Sequence, residues 1–179
     1  MAGLVENLLQ FSHRGHRQVS TVDLREEIAN SVEFVHYYLR TRKIEVVREF
    51  ADPLLTVQAD RQQLRQLFLN LLTNASDAMP QGGKLLVRVD ATWLEGTEAV
   101  AIEFTDTGEG IAPEHLEKIW EPFFTTKPEG KGTGLGMASC RRIVEEHSGT
   151  IEIESEVGRG AIVRMTFPAT ANGVHAELL

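Results

Sequence analysis

The chain of 179 residues has a single cysteine, Cys140, so it can form no internal disulfide and offers no thiolate cluster for a metal. Cys140 falls on the apolar side of a helical pattern and reads as a buried, inert thiol. Basic residues are in deficit: 18 Lys and Arg stand against 26 Asp and Glu, for a net charge of -8. That balance argues against a nucleic-acid surface. No apolar run approaches the ~20 residues of a membrane-spanning helix. The first residues do not form a signal peptide, because Glu6, Asn7 and Gln10 interrupt the apolar positions and no cleavage pattern follows. The phosphate-loop pattern GxxxxGK[ST] is missing too, and GKGTGLG at 130–136 is not GxGxxG after a strand. These shortages predict a cytoplasmic chain, or the cytosolic part of a membrane-bound protein, without nucleic-acid or direct membrane contact. What is present is ordinary: 42% hydrophobic and 25% charged residues, enough for one domain with a real core plus flanking structure.

The chain is organised around Asp106 to Gly136. The alternating run Val100–Phe104 reads as a strand leading into it, and Met137–His147 reads as a helix leading out. Between them lie two glycine clusters, Gly108/Gly110 and Gly130/Gly132/Gly134/Gly136. A glycine-rich turn feeding a helix start presents free N–H groups and the positive end of the helix dipole, which suits phosphate; a plain turn has the same composition. The segment from Gly110 to Thr133 holds only a short helical piece, near Pro113–Trp120. A loop that long inside a compact domain reads as a lid or binding loop. Trp120, Phe123 and Phe124 are its expected apolar anchors. Lys127 and Lys131 place positive charge there, either for phosphates or simply in solvent.

Upstream, Asp23 is positioned to cap a helix from Leu24 to about Arg40, followed by strands at Ile44–Phe50 and Leu54–Gln58. Asp60 caps a stronger helix whose buried face is Leu64, Phe68, Leu71, Leu72 and Ala75. On it Asn70, Asn74 and Asp77 stand at i, i+4 and i+7, one stripe bordering the core. A solvated face is one reading of that stripe. The other is that an amide oxygen serves as a hard ligand for Mg²⁺ that keeps its waters. Lys84–Leu94 and Glu98–Thr105 read as a hairpin that delivers Asp106, a turn residue or an acceptor for an exocyclic amine. Gly149–Val157 and Ala161–Pro168 read as a second hairpin. Strands in one mostly antiparallel sheet with helices on one face make an α+β fold, a two-layer α/β sandwich.

Four blocks in order, NLLTNASDA (70–78), DTGEGI (106–111), WEPFFTTK (120–127) and GKGTGLG (130–136), carry a resemblance. A weaker fifth is GRGAIVRMTF (158–167). Over roughly residues 20–168 the chain resembles the catalytic, ATP-binding domain of sensor histidine kinases, and most closely the nitrogen-regulation-like subgroup. The wider superfamily, known as GHKL, takes in the ATPase domains of type II topoisomerases and a major heat-shock chaperone. The resemblance implies a Bergerat-type ATP-binding fold holding Mg-ATP between the two-asparagine helix and the lid. It implies that Asn74 coordinates Mg²⁺, with Asn70 on the phosphate side, and that Asp106 reads the adenine amine. Gly108 and Gly110 would let the chain turn under the base, and Ile111 would wall it. Thr126, Lys127, Lys131, Gly132, Thr133, Gly134, Leu135 and Gly136 would meet the phosphates from the lid and helix start. Thr166 would reach the base from the late strand.

ATP-hydrolysing relatives carry a glutamate four residues before the metal-binding asparagine. Here that position is Asn70, an amide that cannot act as a general base. The resemblance therefore implies transfer of the γ-phosphoryl group to a histidine on a separate dimerisation bundle, then relay to the receiver domain of a response regulator. No histidine of this chain (13, 16, 36, 115, 147 or 175) stands in the family's phosphoacceptor block. Residues 1–19, with their stripe Leu4, Val5, Leu8, Leu9 and Phe11, look like the end of a bundle helix and a linker. Residues 169–179 look like a disordered tail. The full-length protein is then expected to be a homodimer. Asp77-Ala78 replaces a Lys-Tyr pair that many members carry, so a basic phosphate contact is missing there, which Lys127 can supply. Ala161 stands where Thr or Ser is usual. Two other readings remain: a nucleotide-binding module that transfers no phosphate, disfavoured by four intact blocks, and an anti-sigma-type serine kinase, disfavoured by EPFFTTK and the helical stub.

Overall fold

The computed structural model describes residues 18–52, 56–128 and 130–170. The expected N-terminal helix and linker, Leu54 and Leu55 of the second expected strand, and the tail from residue 171 lie outside the described residues. The elements run β1 Val19–Asp23, α1 Leu24–Phe34, α2 His36–Thr41, β2 Ile44–Phe50, β3 Thr56–Asp60 and α3 Arg61–Asp77. They continue with β4 Gly83–Leu94, β5 Thr97–Asp106, 3₁₀ turns at Pro113–His115 and Lys118–Trp120, α4 Gly136–Glu146, β6 Thr150–Glu156 and β7 Gly160–Pro168.

Both aspartate caps form as their positions predict. Asp23 Oδ1 accepts the N–H of Arg25 at 2.9 Å, and Asp60 Oδ1 accepts those of Gln62 at 2.9 Å and Gln63 at 3.2 Å. The single helix expected from Leu24 to about Arg40 is instead two, broken at Val35 (φ -102°, ψ 9°). One turn earlier, Ser31 Oγ donates back to the carbonyl of Glu27 at 2.8 Å, a bond that bends helices.

Five strands form one sheet in the order β2-β4-β5-β7-β6; β2 and β4 are parallel and every other pair antiparallel. The expectation of a single sheet needs correction. β3 pairs instead with β1 in a separate two-stranded ribbon, and β1 was not expected at all. Its first three residues, Val19, Ser20 and Thr21, are exposed, so it carries no apolar alternation to read. The β4–β5 hairpin turns on Glu95 and Gly96, both at positive φ (49° and 83°), the geometry that matches strand twist in a two-residue loop.

Strand alternation gives the large sheet two unlike faces. Leu85, Val87, Val89, Val100, Ile102, Phe104, Val163, Met165 and Phe167 point into a core completed by α1, α3 and α4. Phe68 of α3 stacks on Phe104 with ring centroids 6.2 Å apart. On the other face one charged side chain per strand forms a row. Glu49 meets Arg88 (2.8 Å), Arg88 meets Glu103 (3.5 Å), Glu103 meets Arg164 (2.9 Å) and Arg164 meets Glu154 (2.6 Å). No helix among the described residues is long and apolar enough to cross a membrane.

Candidate nucleotide-binding site

The end of β5, the last turns of α3, the start of α4 and the segment between β5 and α4 meet at one end of the core. Asp106 arrives from β5 on the core face and is buried. Its Oδ1 accepts two backbone N–H groups, from Gly108 at 2.8 Å and Ala161 at 3.3 Å. Burial pushes the carboxyl above its ordinary pKa, and these two donors pull it back only in part. Both donors fall on Oδ1. Behind it the DTGEGI loop is clamped to the β6–β7 turn. Ile111 N–H donates to Ser155 Oγ at 2.8 Å, and Ser155 Oγ donates to the Gly160 carbonyl at 2.7 Å. Gly110 (φ 73°) passes so close to β6 that a Cβ there would stand 2.2 Å from the Glu156 carbonyl oxygen. Its glycine is thus already required by the protein's own backbone.

Asn70, Asn74 and Asp77 lie along one side of α3, Asn74 sharing Gly136 with Asn70 and Lys127 with Asp77. Asn70 Nδ2 donates to the Gly136 carbonyl, in the first turn of α4, at 3.4 Å. A Cβ on Gly136 would lie 3.7 Å from Asn74 Nδ2, so α4 begins directly above the amide pair. The helix has no side-chain cap at its start. Its first N–H groups are therefore available to an anion.

Asp77 is the hub of a cluster. Its Oδ2 accepts from Lys127 Nζ at 2.6 Å, and its Oδ1 accepts from Arg42 Nη1 at 2.8 Å and from the Tyr38 hydroxyl at 3.1 Å. Arg42 also donates to the Ser76 carbonyl at 3.1 Å, and its guanidinium lies 4.5 Å from the Tyr38 ring centre. Burial raises the Asp77 pKa, but Lys127, Tyr38 and Arg42 outweigh it and the carboxyl sits below its ordinary range. Lys127 Nζ also stands 3.4 Å from Asn74 Oδ1. Tyr38 and Arg42 were not singled out in the sequence. They come from α2 and the turn after it, far along the chain, and only folding brings them to Asp77.

The lid is anchored by Trp120, half-buried with the Arg141 guanidinium 6.0 Å from its ring centre, and by Phe124, half-buried against His115 at 5.4 Å. Phe123, expected as a third anchor, is instead 64% exposed. Its backbone is left-handed (φ 69°), and its N–H donates to the Gly134 carbonyl at 2.9 Å. A Cβ on Gly134 (φ 67°) would come within 2.3 Å of the Phe123 carbonyl carbon, so these two residues lock the lid to the GTGLG turn. Thr133 Oγ1 accepts the Leu135 N–H at 3.3 Å, Leu135 is buried, and Gly132 lies beside Thr125 and Lys127. Thr126 and Lys131 are exposed.

Thr166 is the one expected site residue that the structure leaves elsewhere. It pairs with Ala101 and Thr150, on the face opposite Val163 and Met165 and away from Asp106. Side chains on a strand alternate, so the inward run Ala161, Val163, Met165, Phe167 turns Thr166 outward. What β7 brings to Asp106 is the N–H of Ala161.

The donors present fit a magnesium ion. The Asn74 amide oxygen already faces one cation, the Lys127 ammonium. Among the described residues no group of three or more His, Cys, Asp or Glu could hold a metal by itself. An ion here would complete its shell with phosphate oxygens and water, as magnesium does.

A buried carboxylate, an amide pair under an uncapped helix start and a glycine-locked flap together suit a nucleotide. Residues 59–171 match the model of the histidine kinase-, DNA gyrase B- and HSP90-like ATPase family, and the chain belongs to that family. Its relatives include the sensor histidine kinase ZraS of Salmonella typhimurium, 37% identical over 94% of this chain and 35% of that protein. The sensor kinase CckA of Brucella abortus is 38% identical over 93% of this chain and 19% of its own length. The chain thus spans about a third or less of these two relatives. Among solved structures, the catalytic domain of histidine kinase ThkA superposes with a TM-score of 0.74 at 31% identity, covering 84% of this chain and 95% of that one. Full-length ShkA in complex with AMPPNP gives a TM-score of 0.80 at 28% identity, over 95% of this chain and 36% of that one. What these proteins share with the chain is the ATP-binding catalytic domain of sensor histidine kinases.

Proposed function

We propose that this domain binds Mg-ATP and donates the γ-phosphoryl group to a histidine on a separate helical bundle, for relay to a response-regulator aspartate. The observation that carries the reading is the Asn74 amide oxygen, held against the first turn of α4 and already facing a cation. Asp106 accepts the adenine amine through Oδ2, with Oδ1 fixed by the Gly108 and Ala161 N–H groups. Gly108, Gly110 and Ile111 form the floor beside it. The uncapped N–H groups of α4, with Thr126, Lys131, Gly132, Thr133, Gly134 and Leu135 of the lid, meet the phosphates. Lys127 replaces the basic contact that Asp77 displaces from α3. Bound magnesium, held by Asn74, supplies charge stabilisation on the transferring group. Asn70 offers an amide beside the phosphates and cannot activate water, so ATP waits for a better nucleophile.

The response regulator enters this reading by likeness. ThkA, crystallised with its response regulator TrrA, superposes with a TM-score of 0.77 at 28% identity. The reading extends to a longer homodimeric protein whose catalytic part faces the cytosol. The test is incubation with γ-labelled ATP, magnesium and a separately supplied histidine bundle from a close relative. Acid-labile label on the bundle supports the kinase; tight ATP binding with no transfer to any bundle leaves a nucleotide-binding module instead.

A further inference from the structure

Lys127 occupies a position that the proposed function needs for something else. Its ammonium is 3.4 Å from Asn74 Oδ1, so it faces the same amide oxygen that a magnesium ion would take. Two cations cannot share one amide oxygen without strong repulsion. A metal-nucleotide held by Asn74 would have to displace Lys127, and its phosphates would offer the ammonium a new anion.

The side chain that holds Lys127 in place is Asp77, at 2.6 Å. This carboxylate is itself fixed from behind by Arg42 and Tyr38, neither of which belongs to the lid. Arg42 is fixed in turn by the Ser76 carbonyl and by its stacking on Tyr38. Asp77 can thus release Lys127 without being left uncompensated, because Arg42 remains on its other oxygen. Of the residues that meet here, only Lys127 comes from the lid. Its backbone N–H donates to Thr125 Oγ1 at 3.1 Å, a local turn within the lid.

We propose that Asp77 is a positioning residue that tethers Lys127, and through it the lid, over the metal-binding amide until Mg-ATP exchanges the ammonium from carboxylate to phosphate. The tether rests on the ATP-binding reading above. It sets a threshold: a nucleotide enters productively only if it brings both a cation for Asn74 and an anion for Lys127. Adenosine without phosphates, or phosphate without metal, supplies one of the two and leaves the lid tethered.

The test uses the full chain and four variants: Asp77→Asn, Asp77→Glu, Lys127→Met and the double variant Asp77→Asn/Lys127→Met. Hydrogen exchange of the lid amides at 125–135 is measured without nucleotide, and Mg-ATP affinity by calorimetry. Asp77→Asn and Lys127→Met should each raise lid exchange to the same level, and Asp77→Glu should restore the protection. Asp77→Asn should tighten Mg-ATP roughly three- to fivefold, the range of a partly exposed ion pair, and should change nothing further once Lys127 is Met. Lid exchange unchanged in Asp77→Asn overturns the tether. So does a gain in affinity that persists without Lys127, because Asp77 would then act by repelling phosphate. A wild-type chain that bound no ATP would overturn the kinase reading, while the exchange comparison would still decide the tether.

Discussion

His147 accepts the backbone N–H of Asp60 on Nε2 at 3.0 Å, while its Nδ1 meets the Ile143 carbonyl at 2.7 Å. Accepting on one nitrogen requires the proton on the other, so the ring is held as the neutral Nδ1–H form. The contact ties the end of α4 to the N-cap of α3, the two helices whose opposite ends frame the site. The ring also packs edge-on to Phe167 at 6.4 Å. Replacing His147 by Leu leaves a partly buried N–H without its acceptor, which costs about 1 kcal/mol. Urea denaturation should show that loss, with Mg-ATP affinity nearly unchanged because the site lies at the far end of α4.

Asp106→Asn separates binding from folding. The folded carboxyl has a raised pKa because it is buried. Its contribution to stability is therefore fully present below the unfolded value of 3.8 and is lost as pH rises through the folded value. At neutral pH the asparagine variant should melt at a higher temperature than the wild type, and the gap should close on acidification. Its carboxamide can still accept from Gly108 and Ala161, but then turns an N–H toward the adenine amine. Nucleotide affinity should fall about ten- to a hundredfold. Melts at pH 4 and pH 7, with calorimetry at pH 7, read both effects.

Two substitutions on α3 address metal and water separately. Asn74→Ala removes the amide oxygen that faces Lys127 and should abolish measurable Mg-ATP binding with little change in melting temperature. Unchanged affinity would refute the magnesium assignment. Asn70→Glu puts a carboxylate where only an amide stands and should raise basal ATP hydrolysis by roughly tenfold or more. Phosphate release without any bundle measures it, and a flat rate would mean that position 70 alone does not govern water activation.

Gly134→Ala tests the lid lock. The added methyl meets the Phe123 backbone and the left-handed φ is unfavourable, a strain of about 1–3 kcal/mol. The lid should give way before the core does. Faster exchange at lid amides and weaker nucleotide binding are expected, with the global melt little altered.

The elements that form the pocket were legible because their signals are local. Asp60 caps a helix whose buried face repeats every three to four residues, and the strand leading into Asp106 alternates residue by residue. The order of four motif blocks then pointed to the residues proposed for the site. What failed to show was whatever depends on a partner distant in sequence. β1 exists only because β3 pairs with it. Tyr38 and Arg42 matter only because Asp77 comes to meet them. Phe123 looked like an anchor by its chemistry, but the backbone lock to Gly134 holds its ring largely in solvent. Thr166 is a correction that its own strand makes readable: the alternation of β7 turns it away from Asp106.

The row from Glu49 through Arg88, Glu103 and Arg164 to Glu154 has one more consequence. Each guanidinium lies between two carboxylates, so the charges of the row are answered sideways, strand to strand. Side-chain contacts thus cross every strand boundary of the five-stranded sheet, a second set of ties beside the backbone ladder.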